Sequence, residues 1–509
     1  MNNLLEKIQK NAIISSLLVI MPFLYFSIQY LSNNLRWGGD DAQILTQAIA
    51  IINNSISSQI NDYRFIIDNS VDPIGTKAYS WGVPILLSIL QKIYLFFVPV
   101  KTQICENINY FYLKLSMVFF YAGTILLLYK ELIRRVSYSI AIIFTFLFAF
   151  SPYLIDFANE IMKDIPFTFL SFLAIVTFNK LAHEERLYKK IQLAIFSCIV
   201  TFLCLITREN GSIILFAFSF SYIYNLLLDI RNKTNKIKIN TLIYFVTFFI
   251  TAGCFFLFSK FFPVEYIKNI FQYDIFSILN NIKYYVGEFK ICFFNFNNYG
   301  IFYLVIFSSL SIYGLFKNYK KEPLISFFLI LICTHFVVSA GQGIRYILPF
   351  VPFIFIFAAL GLNKINNKII KYILAGFFII AILLNIANIH TTTKQIADFK
   401  NSGGVTSKSA KEVYEYIKTN TKNTDTFIYC KPRVLHLFTN RLAFQISSRK
   451  ELLNKGDYQL SIIGNEHPGE FYNKEMFDFD KKTYIKEANI FFIPVYRNDN
   501  YALYKIENN

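Results

Sequence analysis

Charged residues are scarce in this chain of 509 residues, since Asp, Glu, Lys and Arg together make up 16% of it. A soluble globular chain carries about 25% charged residues. Hydrophobic residues make up 55% of the sequence, and the mean hydropathy is +0.42. This composition excludes an ordinary soluble domain and indicates an integral membrane protein whose main solvent is lipid.

Cysteine pairs with a functional spacing are also lacking. The seven cysteines are scattered singly, and four of them lie within apolar runs, at Cys198, Cys204, Cys254 and Cys333. No pair has the spacing of a zinc or redox motif, so we predict free thiols. The chain shows no internal repeat of the length that is typical of solenoid proteins.

Acidic residues are the minority, and the formal net charge is +17. In a soluble protein this excess would suggest nucleic acid as a partner. Here many basic residues instead form short clusters between apolar runs, where they set membrane orientation. We therefore expect membrane lipids, and no nucleic acid, as partners.

Apolar runs long enough to cross a bilayer recur from the N-terminus to Ile389. The first follows Lys7 and Lys10 and has no small-residue cleavage site after it, which predicts an uncleaved first helix. We predict about eleven spans by their length. They lie near 12–31, 108–129, 137–155, 165–179, 191–206, 211–228, 240–262, 299–316, 323–340, 346–362 and 372–389.

Basic clusters fall in alternate loops between these spans, and by the positive-inside rule those loops are cytoplasmic. The clusters are Lys130, Arg134 and Arg135; Lys180, Arg186, Lys189 and Lys190; Arg231, Lys233, Lys236 and Lys238; Lys317, Lys320 and Lys321; and Lys364, Lys368 and Lys371. The outward set comprises 32–107, 156–164, 207–210, 263–298, 341–345 and everything after Ile389. We predict that the protein is located in the cytoplasmic (inner) membrane, with its N-terminus on the cytoplasmic side.

The apolar run from Trp81 to Val98 does not fit this alternation, because counting it as a span would invert every later loop. We interpret it as an interfacial or re-entrant helix within the first outer loop. Gly82, Pro84 and Lys92 make a lipid-facing span less favourable. A full span, with parity restored elsewhere, stays open as the alternative.

The last part of the chain loses the long apolar runs and reads as a compact soluble α/β unit. Ser409 is a candidate cap for a helix with Val413, Tyr416 and Ile417 on one face. The runs 490–496 and 501–506 pair as a hairpin across Arg497-Asn498-Asp499-Asn500. The predicted domains are therefore a transmembrane domain, 1–390, with its first outer loop 32–107, and a small extracytoplasmic domain, 391–509.

Ionisable groups beside membrane spans are costly unless paired or hydrated, so each is a candidate functional residue. The acidic candidates are Asp40 and Asp41 after the first span, and Glu160 and Asp164 before the fourth. Each also has a plain structural interpretation. The paired aspartates and Asp164 can cap helices, and Glu160 can pair with Lys163.

The basic candidates are Arg208, in a short outer turn, and Arg345 with Tyr346, at the opening of a later span. Either arginine could simply reach the lipid head groups as an anchor. An Arg and a Tyr at that depth also suit a phosphate. Carboxylates can accept a proton from a hydroxyl, and guanidiniums can hold a phosphate leaving group. All these candidates fall on one predicted face of the membrane.

In the order and placement of these motifs, the sequence resembles the GT-C superfamily of membrane glycosyltransferases, in particular bacterial relatives of dolichyl-phosphate-mannose protein mannosyltransferases and of the lipid A aminoarabinose transferase. Asp40-Asp41 with Ala48 resembles the first acidic motif, although Asp41 stands where Glu is usual. Tyr79-Ser80-Trp81-Gly82-Val83-Pro84 resembles the juxtamembrane stretch. Lys163-Asp164-Ile165-Pro166-Phe167 and Arg345-Tyr346 with Pro349 and Pro352 resemble two later motifs.

The resemblance implies a polytopic α-helical membrane protein of GT-C type with a small α/β C-terminal domain. It implies inverting transfer of a sugar from a polyprenyl-phosphate donor to a protein, lipid or glycan acceptor. The catalytic carboxylates would be Asp40, Asp41 and Asp164, with Asp40 accepting the acceptor's proton. Asp164 and Glu160 would position the acceptor or a divalent cation; the sequence supplies no independent cage of metal ligands, so a metal stays open.

The resemblance also implies that the donor phosphate is bound by Arg345, Arg208, Tyr346 and Lys77. Many relatives carry Lys-Pro-Pro in the first loop, and this chain has no Lys beside Pro84.

Three alternatives remain open at this point. A flippase or transporter of lipid-linked glycans would place charges within helices near the midplane and would often show repeated halves. A polysaccharide ligase or polymerase would depend on one large outer loop. A structural membrane protein would tolerate the loss of Asp40.

Overall fold

The computed structural model describes residues 12–35, 39–55, 80–98, 108–208, 211–231, 237–262, 275–331, 343–402, 404–445, 453, 456–463, 482–485 and 489–508. Within them the chain divides into two compact units, Met1–Leu31 with Leu115–Thr393, and Ser32–Lys114 with Lys394–Asn509. The second unit thus joins the first outer loop to the C-terminal residues. The linear order of the sequence does not reveal that pairing.

Most of the described chain is α-helical. The helices are α1 Ala12–Tyr30, α2 Asp40–Ile52, α3 Gly82–Phe97, α4 Tyr110–Ile133, α5 Tyr138–Ala149, α6 Pro152–Ala158, α7 Asp164–His183, α8 Leu187–Thr207, α9 Ser212–Arg231, α10 Ile237–Phe261, α11 Ile275–Phe293, α12 Gly300–Asn318, α13 Pro323–Ile330, α14 Val351–Asn363, α15 Lys368–Ser402, α16 Lys408–Asn420 and α17 Pro432–Thr439.

Six segments are long and apolar enough to cross a membrane: Tyr110–Ile133, Asp164–His183, Leu187–Thr207, Ile239–Phe261, Asn297–Asn318 and Lys368–Thr391. The pair α5 and α6 makes a seventh if it counts as one span. Every span predicted from the sequence contains a described helix, which confirms a multi-pass helical membrane protein. The count of about eleven spans stays a prediction.

Two predicted elements differ in the structure. The span predicted over 137–155 is broken into α5 and α6, which meet at 57°, because Ser151 caps α6 and Pro152 cannot continue the preceding helix. The outer segment 263–298 contains an additional helix, α11, that the apolar runs of the sequence do not predict. Its Lys283, Glu288 and Lys290 interrupt the apolar residues.

Ion pairs and hydrogen bonds within the first unit connect loops that the charge pattern places on one side. Arg135, which follows α4, contacts Glu322 ahead of α13 at 2.7 Å. Lys190 Nζ, near the start of α8, donates to Asn240 Oδ1, near the start of α10, at 2.8 Å. All four residues lie in or beside loops predicted to be cytoplasmic, so the contacts agree with the predicted alternation.

The core of the first unit is rich in phenylalanine. Phe307 and Phe355 have ring centroids 4.9 Å apart, and Phe293 of α11 lies 5.0 Å from Phe355. Helices α12 and α14 cross closely, because Gly314 and Gly361 each face the backbone of the other helix, where a Cβ atom would overlap it. This packing holds α11 and α14 beside the segment that carries Arg345.

In the second unit, α3 packs against α2 through a buried face that includes Val83 and Leu87. Its other face exposes Ile89, Ile93 and Phe96. At 16 residues, the helix is shorter than the roughly 20 residues that a span needs. Its amphipathic pattern favours the interfacial interpretation of 81–98, which stays a prediction.

The C-terminal residues form a mixed six-stranded sheet in the order β2-β1-β3-β6-β5-β4. The strands are β1 Thr426–Ile428, β2 Leu442–Phe444, β3 Tyr458–Ile462, β4 Thr483–Ile485, β5 Ile490–Arg497 and β6 Tyr501–Asn508. Strands β5 and β6 pair antiparallel, which confirms the predicted hairpin. The predicted cap of α16 is wrong by two residues, since Ser407 Oγ, not Ser409, accepts the Ala410 N–H at 3.1 Å.

Candidate active site

Asp164 is the first residue of α7 and is fully buried. It follows a turn that includes Glu160, which is 5% exposed. A carboxylate in the first turn of a helix is stabilised by the helix dipole, as a simple cap would be. Its side chain, however, has partners that capping does not require.

Two arginines that are distant in the sequence contact Asp164. Arg345 Nε donates to Asp164 Oδ2 at 3.1 Å, and Arg208 Nη1 forms an ion pair with Asp164 Oδ1. Arg208 Nη1 also donates to the Arg345 carbonyl oxygen at 3.0 Å. The two guanidiniums and one carboxylate leave one net positive charge in a buried cluster, which we name the arginine triad (Asp164, Arg208, Arg345).

Aromatic rings flank the Arg208 side of the triad. The guanidinium carbon of Arg208 lies 4.9 Å from the ring centroid of Tyr346 and 5.9 Å from that of Phe167. Cation–π contacts of this kind stabilise a dehydrated guanidinium and fix its plane. Tyr346 is thus brought to the predicted site, as a neighbour of Arg208.

The sequence suggested that Arg345 opens an α-helical span, and the structure differs on this point. Arg345 lies in a 3₁₀ turn, Gly343–Tyr346, and α14 begins at Val351. Gly343 has φ +62°, a conformation that favours glycine. Its N–H donates to Tyr284 Oη of α11 at 2.8 Å, so α11 helps to fix the turn that carries Arg345.

A second carboxylate lies near this turn. A Cβ atom on Gly343 would lie 3.2 Å from Tyr153 Oη and 3.6 Å from Glu288 Oε2. Burial raises the pKa of the Glu288 carboxyl. Sequence reasoning missed Tyr284 and Glu288, since they lie in α11. Their spacing of four residues on a helix was the available signal.

Asp40 and Asp41 belong to the second unit, where they form the first turn of α2. Asp41 is fully buried, and its Oδ1 accepts the N–H of Ala42 at 2.9 Å. Asp40 Oδ1 accepts a charged hydrogen bond from Arg433 Nη1 at 2.6 Å. Lys77, the remaining candidate for phosphate binding, lies outside the described residues.

The residues present do not fit a divalent cation at Asp164. Both oxygens of this carboxylate already contact guanidinium groups, and these two cations would repel a metal ion there. Within the described ranges no cluster of three or more His, Cys, Asp or Glu side chains could hold a metal ion.

An apolar groove lies beside the turn that carries Arg345. Its volume is about 160 Å³, and its lining includes Tyr285 of α11, Phe307 of α12 and Ile347. Ile347 follows Arg345 by two residues, so a ligand with a charged head and an apolar tail could place one part at each.

No protein-family model and no curated protein sequence matches the chain. Its fold is similar to that of ArnT from Cupriavidus metallidurans in the apo state, with a TM-score of 0.55, 9% identity, and coverage of 96% of this chain and 97% of that one. ArnT bound to undecaprenyl phosphate gives a TM-score of 0.55 at 10% identity, with coverage of 96% and 97%. The oligosaccharyltransferase of Archaeoglobus fulgidus gives 0.53 at 13% identity, with coverage of 87% of this chain and 68% of that one.

Identities this low establish the fold and not the activity. The chain shares its overall fold with ArnT and with the archaeal oligosaccharyltransferase, in agreement with the helical membrane fold that the resemblance in sequence implied.

Proposed function

We propose that this protein transfers a sugar, hexosyl or pentosyl, from a polyprenyl-phosphate donor to an acceptor on the outer face of the cytoplasmic membrane. The observation that carries the proposal is the arginine triad, with its net positive charge beside an apolar groove. A polyprenyl-phosphate sugar is a phosphodiester with one negative charge and an apolar tail. Its head matches the triad, and part of its tail matches the groove.

Neighbouring folds support this donor class. ArnT has been solved with undecaprenyl phosphate, and the archaeal oligosaccharyltransferase AglB with a dolichol-phosphate and an inhibitory peptide. Both lipids combine a phosphate with a polyprenyl chain.

In the proposed reaction, Asp40 accepts the proton of the acceptor's nucleophilic group. That group attacks the anomeric carbon from the face opposite the phosphate, the bond from that carbon to the phosphate oxygen breaks, and polyprenyl phosphate leaves. Negative charge grows on the leaving oxygen, and preorganised guanidiniums stabilise such charge in a buried site. Arg208 and Arg345 supply that stabilisation, while Asp164 fixes their positions.

The test compares the cell-envelope glycans of cells with the intact gene, without the gene, and with Arg345→Ala, by mass spectrometry. We expect one sugar to disappear from one class of glycan in the last two strains. Accumulation of the donor lipid would accompany the loss. An unchanged set of glycans in the strain without the gene would contradict the proposed transferase.

A further inference from the structure

The contact between Asp40 and Arg433 joins residues that are 393 positions apart in the sequence. Both belong to the second unit. Arg433 Nη1 lies 2.6 Å from Asp40 Oδ1, and each side chain is 18% exposed. A short charge-assisted hydrogen bond at this degree of burial is stronger than an ordinary surface ion pair.

The C-terminal domain fixes the position of Arg433. Helix α17 begins with Pro432 and buries Val434 and Leu435. It packs against α2, α16 and β2. At its other end Asn440 adopts a left-handed conformation, with φ 55°, and its N–H donates to the His436 carbonyl oxygen at 2.8 Å. Arg433 therefore approaches Asp40 from a fixed backbone.

The placement of Arg433 is unfavourable for α17 itself. It lies in the first turn of that helix, where the helix dipole disfavours a cation. Asp40, by contrast, lies in the first turn of α2, where a carboxylate is favoured. A cation at a helix N-terminus is stabilised when it pairs with an anion. The contact with Asp40 therefore explains the presence of an arginine at position 433 better than the stability of α17 does.

We propose that Arg433 is a positioning residue for Asp40, so that the C-terminal domain supplies part of the active site. This inference rests on the proposed function, in which Asp40 accepts the acceptor's proton. The guanidinium holds one carboxylate oxygen and thereby limits the rotation of the side chain. It also favours the ionised form, which is the only form that can accept a proton.

The test measures transfer by the full-length protein in reconstituted membranes. We expect Arg433→Gln to lower kcat by about 10- to 100-fold, as misplacement of a reacting group does, with little change in KM for the donor. Arg433→Lys should retain more of kcat, because it keeps the positive charge. The control is Arg497→Gln, at the exposed end of β5 in the same unit, which should leave both constants unchanged.

The pH dependence separates positioning from mere folding support. Removing the guanidinium makes the facing carboxylate easier to protonate, so the acidic limb of the kcat profile should move to higher pH in Arg433→Gln. The other ionisable groups on the helices that pack around Asp40 are Asp41 on α2, Lys92 and Tyr94 on α3, and Lys431 and His436 at α17. These remain in every variant, so a shift between variants reports the loss of Arg433.

Each outcome has one interpretation. If Asp40→Asn is inactive while Arg433→Gln has wild-type kcat and an unmoved acidic limb, the positioning role is wrong and the proposed function stands. If Asp40→Asn turns over normally, the general base itself is wrong. If Arg433→Gln fails to fold, Arg433→Met decides, because it keeps an apolar chain of similar length without the charge: a folded Met variant with wild-type kcat and an unmoved limb overturns the proposal, and a lowered kcat with the limb at higher pH supports it.

Discussion

At the scale of single residues, the arginine triad brings together three residues that the sequence predicts on one face of the membrane, Asp164, Arg208 and Arg345. Buried ions are costly to dehydrate, and removing one partner from such a cluster usually destabilises a protein by about 3–5 kcal/mol. Asp164 is fully buried and Arg208 is 3% exposed. Burying these charges therefore costs stability, and a role of the net positive charge in binding an anionic ligand would explain why the cluster is present.

Replacing Arg345 by Lys tests the phosphate role. Lysine has no Nε–H to reach Asp164 and presents a point charge in place of a planar fork. We expect Arg345→Lys to raise KM for the donor by about tenfold, which corresponds to about 1.4 kcal/mol, with a smaller change in kcat. The measurement is transfer rate against donor concentration in reconstituted membranes.

The matched control is Arg134→Lys, whose side chain is 56% exposed in a loop predicted to be cytoplasmic. Wild-type kinetics in Arg345→Lys and Arg345→Ala alike would reduce Arg345 to a membrane anchor. The phosphate site would then move to Arg208 or Lys77.

The paired aspartates are expected to differ in their effects. Asp40→Asn keeps the size of the side chain but cannot accept a proton, so transfer should fall by about 100-fold or more while folding is retained. Asp41 accepts the Ala42 N–H within its own turn, a contact that Asn can also make. Asp41→Asn should therefore lower the rate of transfer less than Asp40→Asn does.

Single-turnover rates and thermal unfolding of both variants provide the measurement. Equal inactivation by both substitutions would leave the general base unassigned between them.

At the scale of elements, the 3₁₀ turn Gly343–Tyr346 links α11 to the arginine triad. Gly343→Ala should cost about 1 kcal/mol, because φ +62° is unfavourable for alanine. Its Cβ would also press on Tyr153 Oη at 3.2 Å. We expect a raised KM for the donor, since the turn that carries Arg345 must shift.

Gly376→Ala in α15 is the control, because a Cβ there meets no atom within 4 Å. If both alanine variants bind donor as the wild type does, the turn does not govern the position of Arg345.

At the scale of the whole molecule, the orientation depends on charge counts alone and can be tested directly. A protein that retains only Cys430 should react with a membrane-impermeant thiol reagent in intact cells, because the C-terminal domain is predicted to face outward. Cys430 is a partly exposed cysteine in the structure. Labelling only after permeabilisation would show that the predicted orientation is inverted.

A cysteine placed at Lys320 gives the opposite control. It lies in a loop predicted to be cytoplasmic, so it should react only after permeabilisation.

Sequence alone determined the properties that depend on neighbouring residues. Apolar runs located the spans, because a bilayer core of about 30 Å demands a minimum length of helix. Basic clusters predict the alternation of loops, and the ion pair between Arg135 and Glu322 agrees with that prediction. The hairpin of β5 and β6 was likewise predictable, since its turn and strands are adjacent in the chain.

Only the tertiary structure decided which distant residues meet. Arg345 lies 181 positions from Asp164, and Arg433 lies 393 positions from Asp40. No local pattern encodes such pairs, because they depend on how helices pack and how the C-terminal sheet orients α17. Helix α11 was missed for a related reason: its charged residues break the apolar run, and it is stabilised by burying residues such as Phe293 against other helices.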